Sequence, residues 1–143
     1  AIPGIRIGYM TAYEALLREI RLQRMPWSVN SLAIEAGFYA IEEKLQPTID
    51  IPLYLKEKER LEKALLSTGM MEIWHSDTHF MLIRLRYGKA SALKDYLANE
   101  HGILIRDASN FEGLDEHFFR IATQTPEEND QLVKAIQQWI SSI

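Results

Sequence analysis

The chain contains no cysteine in its 143 residues. That excludes disulfides, thiolate nucleophiles and cysteine zinc sites together. It also suits a reducing compartment, so a cytoplasmic location is expected. No apolar run approaches the roughly 20 residues of a membrane-spanning helix, and no membrane partner is expected. Positive charge is short: 16 Lys and Arg stand against 20 Asp and Glu, a formal net charge of -4. Such a chain has no general attraction to phosphodiester backbones, so nucleic acid is not an expected partner. A phosphate-binding loop of the G-x-x-x-x-G-K type, a dinucleotide fingerprint and a Ser/His/Asp order are all missing. The opening Ala1-Ile2-Pro3-Gly4 is neither an initiator methionine nor a charged-then-apolar signal. It reads as the interior of a longer sequence.

What is present suits a folded domain: 47% of residues are hydrophobic and the length can bury a core. Residues 5 to 10 follow a Pro-Gly turn and predict a short strand. Thr11 and Glu14 have capping-box spacing and predict a helix with Leu16, Leu17 and Ile20 on one face. Met25-Pro26-Trp27 ends it, and Trp27 is expected to be a packing residue. Asn30 or Ser31 caps a second helix to about residue 43, rich in small residues. Residues 45 to 51 predict a boundary. A third helix follows, with Leu55, Leu61, Ala64 and Leu65 inward, residues 56 to 60 outward, and Gly69 as its stop. The hydrophobic period then changes. Residues 70 to 74 and 79 to 86 predict strands around a turn, residues 90 to 99 a helix, and 103 to 106 and 116 to 122 two more strands. Thr125-Pro126-Glu127-Glu128 predicts the start of the last helix, with Leu132, Val133, Ile136, Trp139 and Ile140 at helical spacing. From residue 50 the order is helix, strand, strand, helix, strand, strand, helix. That predicts an α/β (α+β) unit with helices packed on a small mixed sheet.

Three arginines could carry chemistry. Arg6 follows Pro3-Gly4-Ile5, where glycine permits close backbone approach and a guanidinium can grip phosphate through two parallel hydrogen bonds; a solvated arginine is the alternative. Arg106 and Arg120 each sit in an apolar stretch, Ile103-Leu104-Ile105-Arg106 and Phe118-Phe119-Arg120-Ile121. A charge there costs free energy unless it stays wet or meets an anion. On neighbouring strands the pair could hold a phosphate or a carboxylate. Otherwise each arginine pairs with Asp107, Glu112 or Glu116. His75 and His79 flank a predicted turn without a third ligand, and His101 and His117 are isolated, so no metal site is expected.

The segment Ala1-Ile2-Pro3-Gly4-Ile5-Arg6-Ile7-Gly8-Tyr9 resembles the stretch after the Schiff-base lysine of fold-type I pyridoxal-phosphate enzymes. Phe118-Phe119-Arg120-Ile121-Ala122, then Thr125-Pro126-Glu127-Glu128-Asn129, is similar to the substrate-arginine region of the histidinol-phosphate aminotransferase branch. Ile103-Leu104-Ile105-Arg106-Asp107 matches the second arginine of that branch. Met25-Pro26-Trp27-Ser28-Val29-Asn30 and Ser109-Asn110-Phe111-Glu112-Gly113-Leu114 look more like the threonine-phosphate decarboxylases within it.

This resemblance implies the C-terminal small domain of the aspartate-aminotransferase-like fold over residues 47–143. Residues 1–46 would be a strand and helices of the large cofactor-binding domain. It implies pyridoxal 5'-phosphate as cofactor with Arg6 on its phosphate, and Arg106 and Arg120 on the substrate. No catalytic residue is expected in this chain, because the lysine is expected upstream of Ala1; the chain alone should be inactive and hold little or no cofactor. The implied whole enzyme is a homodimer that decarboxylates L-threonine O-3-phosphate to 1-amino-2-propanol phosphate for cobalamin synthesis. A histidinol-phosphate aminotransferase is the alternative, and a free-standing α/β amino-acid-binding module is an alternative of another class.

Overall fold

The computed structural model describes residues 3–43 and 50–142. The chain divides into two compact units, Ala1–Thr48 and Ile49–Ile143. The boundary expected at 46/47 lies outside the described residues.

The first unit holds a 3-10 turn at Pro3–Ile5 and two helices, α1 (Glu14–Gln23) and α2 (Ser31–Glu42). The expected strand over residues 5 to 10 does not form: beyond the turn the backbone to residue 13 is irregular. A strand needs a hydrogen-bonding neighbour, and the described residues of this unit offer none. The Thr11 capping box is also corrected. Tyr13 is the N-cap, it makes no side-chain cap bond, and Glu14 is the first helical residue rather than the third. Asn30 does cap α2, its Oδ1 accepting the Ala33 N–H at 2.8 Å. Trp27 is not a packing residue: it is 98% exposed and has φ +60. Among the described residues of this unit only Ala33 is buried.

The second unit carries the core. Its elements are α3 (Ile51–Leu66), β1 (Met71–Ile73), β2 (Phe80–Leu85), α4 (Ala90–His101), β3 (Arg106–Asp107), β4 (Phe118–Ala122) and α5 (Pro126–Ile140). The predicted order of seven elements holds. The sheet, however, is wholly antiparallel with order β1-β2-β4-β3, not mixed. Loops at residues 74–79 and 108–117, too short for a crossover helix, join β1 to β2 and β3 to β4, as suits antiparallel neighbours. The third strand is also shorter than expected, because only Arg106 and Asp107 pair with β4.

Alternation sorts the strands onto two faces. Met81, Ile83, Leu85, Phe119 and Ile121 face the helices and are buried with Leu61 and Leu65 of α3, Leu93 and Leu97 of α4, and Leu132, Ile136 and Trp139 of α5. Phe80, Leu82, Arg84, Phe118, Arg120 and Ala122 occupy the other face, opposite the packed helices of this unit. Lys58, expected outward, belongs to the inward stripe of α3 at spacing 58, 61, 65 and is buried. Its stem lies along the core while its ammonium donates to the Ser76 carbonyl in the β1–β2 turn.

Two devices place α5. Thr125 Oγ1 accepts the Glu128 N–H at 3.3 Å, and Glu128 Oε2 accepts the Thr125 N–H at 3.1 Å, which completes the predicted capping box. Asn129, buried, then joins three segments. Its Nδ2 donates to Glu57 Oε1 of α3 at 2.8 Å and to the Gln124 carbonyl at 3.1 Å, and its Oδ1 accepts the Gln124 N–H at 3.1 Å. The exit of β4 and the start of α5 are thereby tied to α3.

Candidate functional site

Arg106 and Arg120 are Cα partners across the β3–β4 ladder. Paired residues project to the same side of a sheet. Arg120 sits between Phe119 and Ile121, both in the core, so its side chain and that of Arg106 emerge on the face opposite the helices. Both line a hollow of about 460 Å³ with Phe80, Gln124, Glu128 and Gln131.

Like charges directly opposite each other destabilise a ladder by several tenths of a kcal/mol to about 1 kcal/mol. Neutral neighbours receive these two. Arg106 Nη2 donates to Asn110 Oδ1 at 3.3 Å, and its guanidinium lies 5.5 Å from the centre of the Phe111 ring. The Arg120 guanidinium lies over the Phe80 ring at 4.7 Å. Among the described residues neither arginine is in an ion pair.

Two of the carboxylates nearest in sequence, Asp107 and Glu116, are occupied elsewhere. Asp107 projects to the opposite face from Arg106. It accepts the Ser109 N–H at 2.9 Å, and that bond, with the Ser109 hydroxyl, holds its carboxyl below the usual range. Glu116 pairs with Lys89 at 2.7 Å. Arg84 supplies the contrast. It shares the face of Arg120 but approaches Glu72 at 3.8 Å and Asp115 at 3.7 Å. On this face Arg84 and Arg86 meet carboxylates, whereas Arg106 and Arg120 face a hollow.

Each histidine has a local role. His75 meets Asp77 at 3.2 Å, the His79 ring stacks on Phe80 at 3.9 Å, His101 meets the Tyr96 hydroxyl at 3.2 Å, and His117 meets the Gly88 carbonyl at 2.7 Å.

Arg6 lies in the first unit, exposed, directly after the 3-10 turn. Its φ of +58 is in the left-handed region, which costs a non-glycine residue on the order of 1 kcal/mol. Asn30 Nδ2 donates to the Ile5 carbonyl at 3.2 Å, so the residue that caps α2 also holds this bend. A cation on a backbone fixed in this way suits a phosphate group.

Phe80, Asn110 and Phe111 complete the arginine pair, and their part was not read from the sequence. The signal for Phe80 was strand alternation: Phe80, Leu82 and Arg84 share one face, and Met81, Ile83 and Leu85 the other.

The α/β fold is shared with part of aminotransferase-fold proteins of known structure. The chain belongs to the aminotransferase class I and II family, whose family model matches residues 1–136. It is 29% identical over its whole length to the threonine-phosphate decarboxylase of Salmonella typhimurium, of which it covers 39%. The crystal structure of L-threonine-O-3-phosphate decarboxylase from Porphyromonas gingivalis superposes with a TM-score of 0.89 at 39% identity, over 98% of this chain and 43% of that one. The histidinol-phosphate aminotransferase from Clostridium acetobutylicum superposes at 0.76 and 30% identity, over all of this chain and 43% of that one. The chain thus spans about two fifths of the length of these relatives.

Proposed function

We propose that this chain is part of a pyridoxal-phosphate-dependent enzyme that decarboxylates L-threonine O-3-phosphate. In this reading residues 1–46 belong to the large cofactor-binding domain and residues 47–143 form the small domain. Arg6 holds the cofactor phosphate; the lysine that carries the cofactor lies outside this chain. Arg106 and Arg120 bind the substrate. The observation that carries the reading is the register pair Arg106 and Arg120, two guanidiniums without a carboxylate partner at one hollow. Similarity to two threonine-phosphate decarboxylases supports the choice of substrate.

The substrate's charge fits the pair. A phosphate monoester carries about -1.5 to -2 at neutral pH and the carboxylate one charge more. Two forks at fixed separation on one sheet can grip both groups and so fix the rotation about the bonds at Cα. That rotation decides the chemistry. Pyridoxal phosphate, when bound, would supply an electron sink for a bond broken at the substrate Cα. A grip by Arg106 and Arg120 that presents the Cα–carboxylate bond to the cofactor for cleavage would select loss of carbon dioxide. A proton then takes its place at Cα, giving 1-amino-2-propanol phosphate, an intermediate for cobalamin synthesis. A grip that presents the Cα–H bond instead would select amino transfer, the course of the histidinol-phosphate branch.

The test is an assay of the intact protein, loaded with cofactor. Carbon dioxide released from L-threonine O-3-phosphate, in step with 1-amino-2-propanol phosphate, is the expected result. Amino transfer from histidinol phosphate to 2-oxoglutarate without carbon dioxide release would overturn the substrate and the reaction together. The cytoplasm as location and a homodimer as assembly complete the proposal, the latter checked by the mass of the intact protein in solution. The chain of residues 1–143 by itself is proposed to be inactive. A cofactor absorbance band that survives gel filtration of this chain would contradict that.

A further inference from the structure

The face opposite the helices holds an aromatic side chain that is not part of the core. Phe80 opens β2, lies opposite Ala122, is 38% exposed and stands outside the core cluster. A phenyl ring left partly in water at a polar hollow gains little from burial. Its ring meets the Arg120 guanidinium at 4.7 Å and, tilted by 39°, the His79 ring at 3.9 Å. The small side chain of Ala122 leaves it room.

A guanidinium has two kinds of surface: a flat π face, and an edge that carries its five N–H donors. A carboxylate partner occupies the edge, as Glu57 does at Arg60 with two bonds of 2.8 Å. An aromatic ring lying parallel to the guanidinium covers the face and leaves the donors on the edge available. It also leaves the positive charge uncancelled. Arg106 has a similar arrangement, with Phe111 at 5.5 Å and one donor on Asn110.

We infer that Phe80 is the positioning residue for Arg120: its ring fixes the plane of the guanidinium and keeps the N–H edge turned to an incoming anion. The inference rests on the proposed role of Arg120 in substrate binding. Pinning the guanidinium before the ligand arrives removes part of the ordering cost of binding. Phe80 therefore contributes to affinity without touching the anion.

The experiment is a double-mutant cycle on the intact protein without cofactor, with L-threonine O-3-phosphate as the probe and calorimetric Kd as the readout, so that turnover plays no part. Phe80→Leu removes the ring, Phe80→Tyr keeps it, and Arg120→Ala removes the guanidinium. A face contact of this kind predicts that Phe80→Leu weakens binding roughly two- to fivefold. Phe80→Tyr should stay within twofold of the parent. In the Arg120→Ala background, Phe80→Leu should add nothing. The inference is overturned if Phe80→Leu binds as the parent does, if Phe80→Tyr binds as weakly as Phe80→Leu, or if Phe80→Leu costs as much without Arg120 as with it. That last result would make the ring a direct ligand contact. An unchanged Kd for Arg120→Ala alone would instead sink the underlying reading of the site. Should Phe80→Leu fail to fold, Phe80→Met takes its place in the cycle.

Discussion

Arg84, Arg106 and Arg120 are chemically alike and share one face of one sheet, yet their surroundings separate them. All three lie near an aromatic ring, but Arg84 is also flanked by Glu72 and Asp115, whereas Arg106 and Arg120 have no carboxylate partner among the described residues. A fork that must grip an oxyanion through two parallel bonds is not replaceable by an ammonium. Arg120→Lys should therefore raise KM for L-threonine O-3-phosphate about tenfold, the loss of one charge-assisted hydrogen bond, with the melting temperature unchanged. An unaltered KM would remove Arg120 from the binding role. Gly88 lies at the opposite extreme, since its part is purely steric. Its φ is +80, and a Cβ there would lie 2.7 Å from Trp139 Cη2. Gly88→Ala should lower stability by more than about 1 kcal/mol, read as a shift in the urea midpoint at constant slope. The arginine pair was legible because a charge amid Ile, Leu and Phe stands out. Phe80 was not, because an aromatic residue in a strand looks like core until the register shows which side it faces.

Secondary elements were legible where local chemistry decides them. Thr125-Pro126-Glu127-Glu128 fixed the start of α5 to the residue, since the capping box needs nothing beyond four consecutive positions. The proposed strand at residues 5 to 10 failed because pairing is a non-local matter. Lys58 was misplaced because the charge masked the 58, 61, 65 stripe. Asn129 is the non-local fastening: it is buried, and Asn129→Ala would remove its hydrogen bonds to Glu57 and to the Gln124 N–H and carbonyl. A loss of about 1–3 kcal/mol in the unfolding free energy is expected, and denaturant titration measures it. Several of these fastenings are carboxylates. The Arg60 guanidinium bound to Glu57 holds that carboxyl below the ordinary 4.5. The Thr125 hydroxyl and N–H do the same for Glu128, and the Ser109 N–H holds Asp107 below 3.8. A carboxyl depressed in the folded state adds stability above its unfolded pKa and loses it as the pH falls through the folded value. These three groups should leave the melting temperature level from neutrality to about pH 5 and lower it progressively below about pH 4. Asp107→Asn, Glu57→Gln and Glu128→Gln should each flatten part of that acid limb. An acid limb identical in all three variants would show that other groups carry it.

At the scale of the whole molecule, folding strength is unevenly shared. The entire core cluster lies between Leu61 and Trp139. In the first unit Tyr9, Tyr13, Trp27, Leu32, Phe38 and Ile41 are all exposed. Residues 49–143 alone should therefore melt in one cooperative transition close to that of the 143-residue chain, as followed by circular dichroism. The longer chain should also bind a hydrophobic dye more strongly, through the exposed side chains of its first unit. A shortened chain that failed to fold would mean that unit 1 supports the sheet. The amphipathic order of helices and strands made the second unit legible from sequence. The first unit was less so, because α1 and α2 have few buried positions to betray a packing face.

The division of β2 and β4 into alternate letters has an evolutionary consequence. Met81, Ile83, Phe119 and Ile121 answer to the helices, whereas Phe80, Leu82, Arg120 and Ala122 answer to whatever arrives from outside. Selection can rewrite the second set while the first stays constant, so one scaffold can change its diet without being rebuilt.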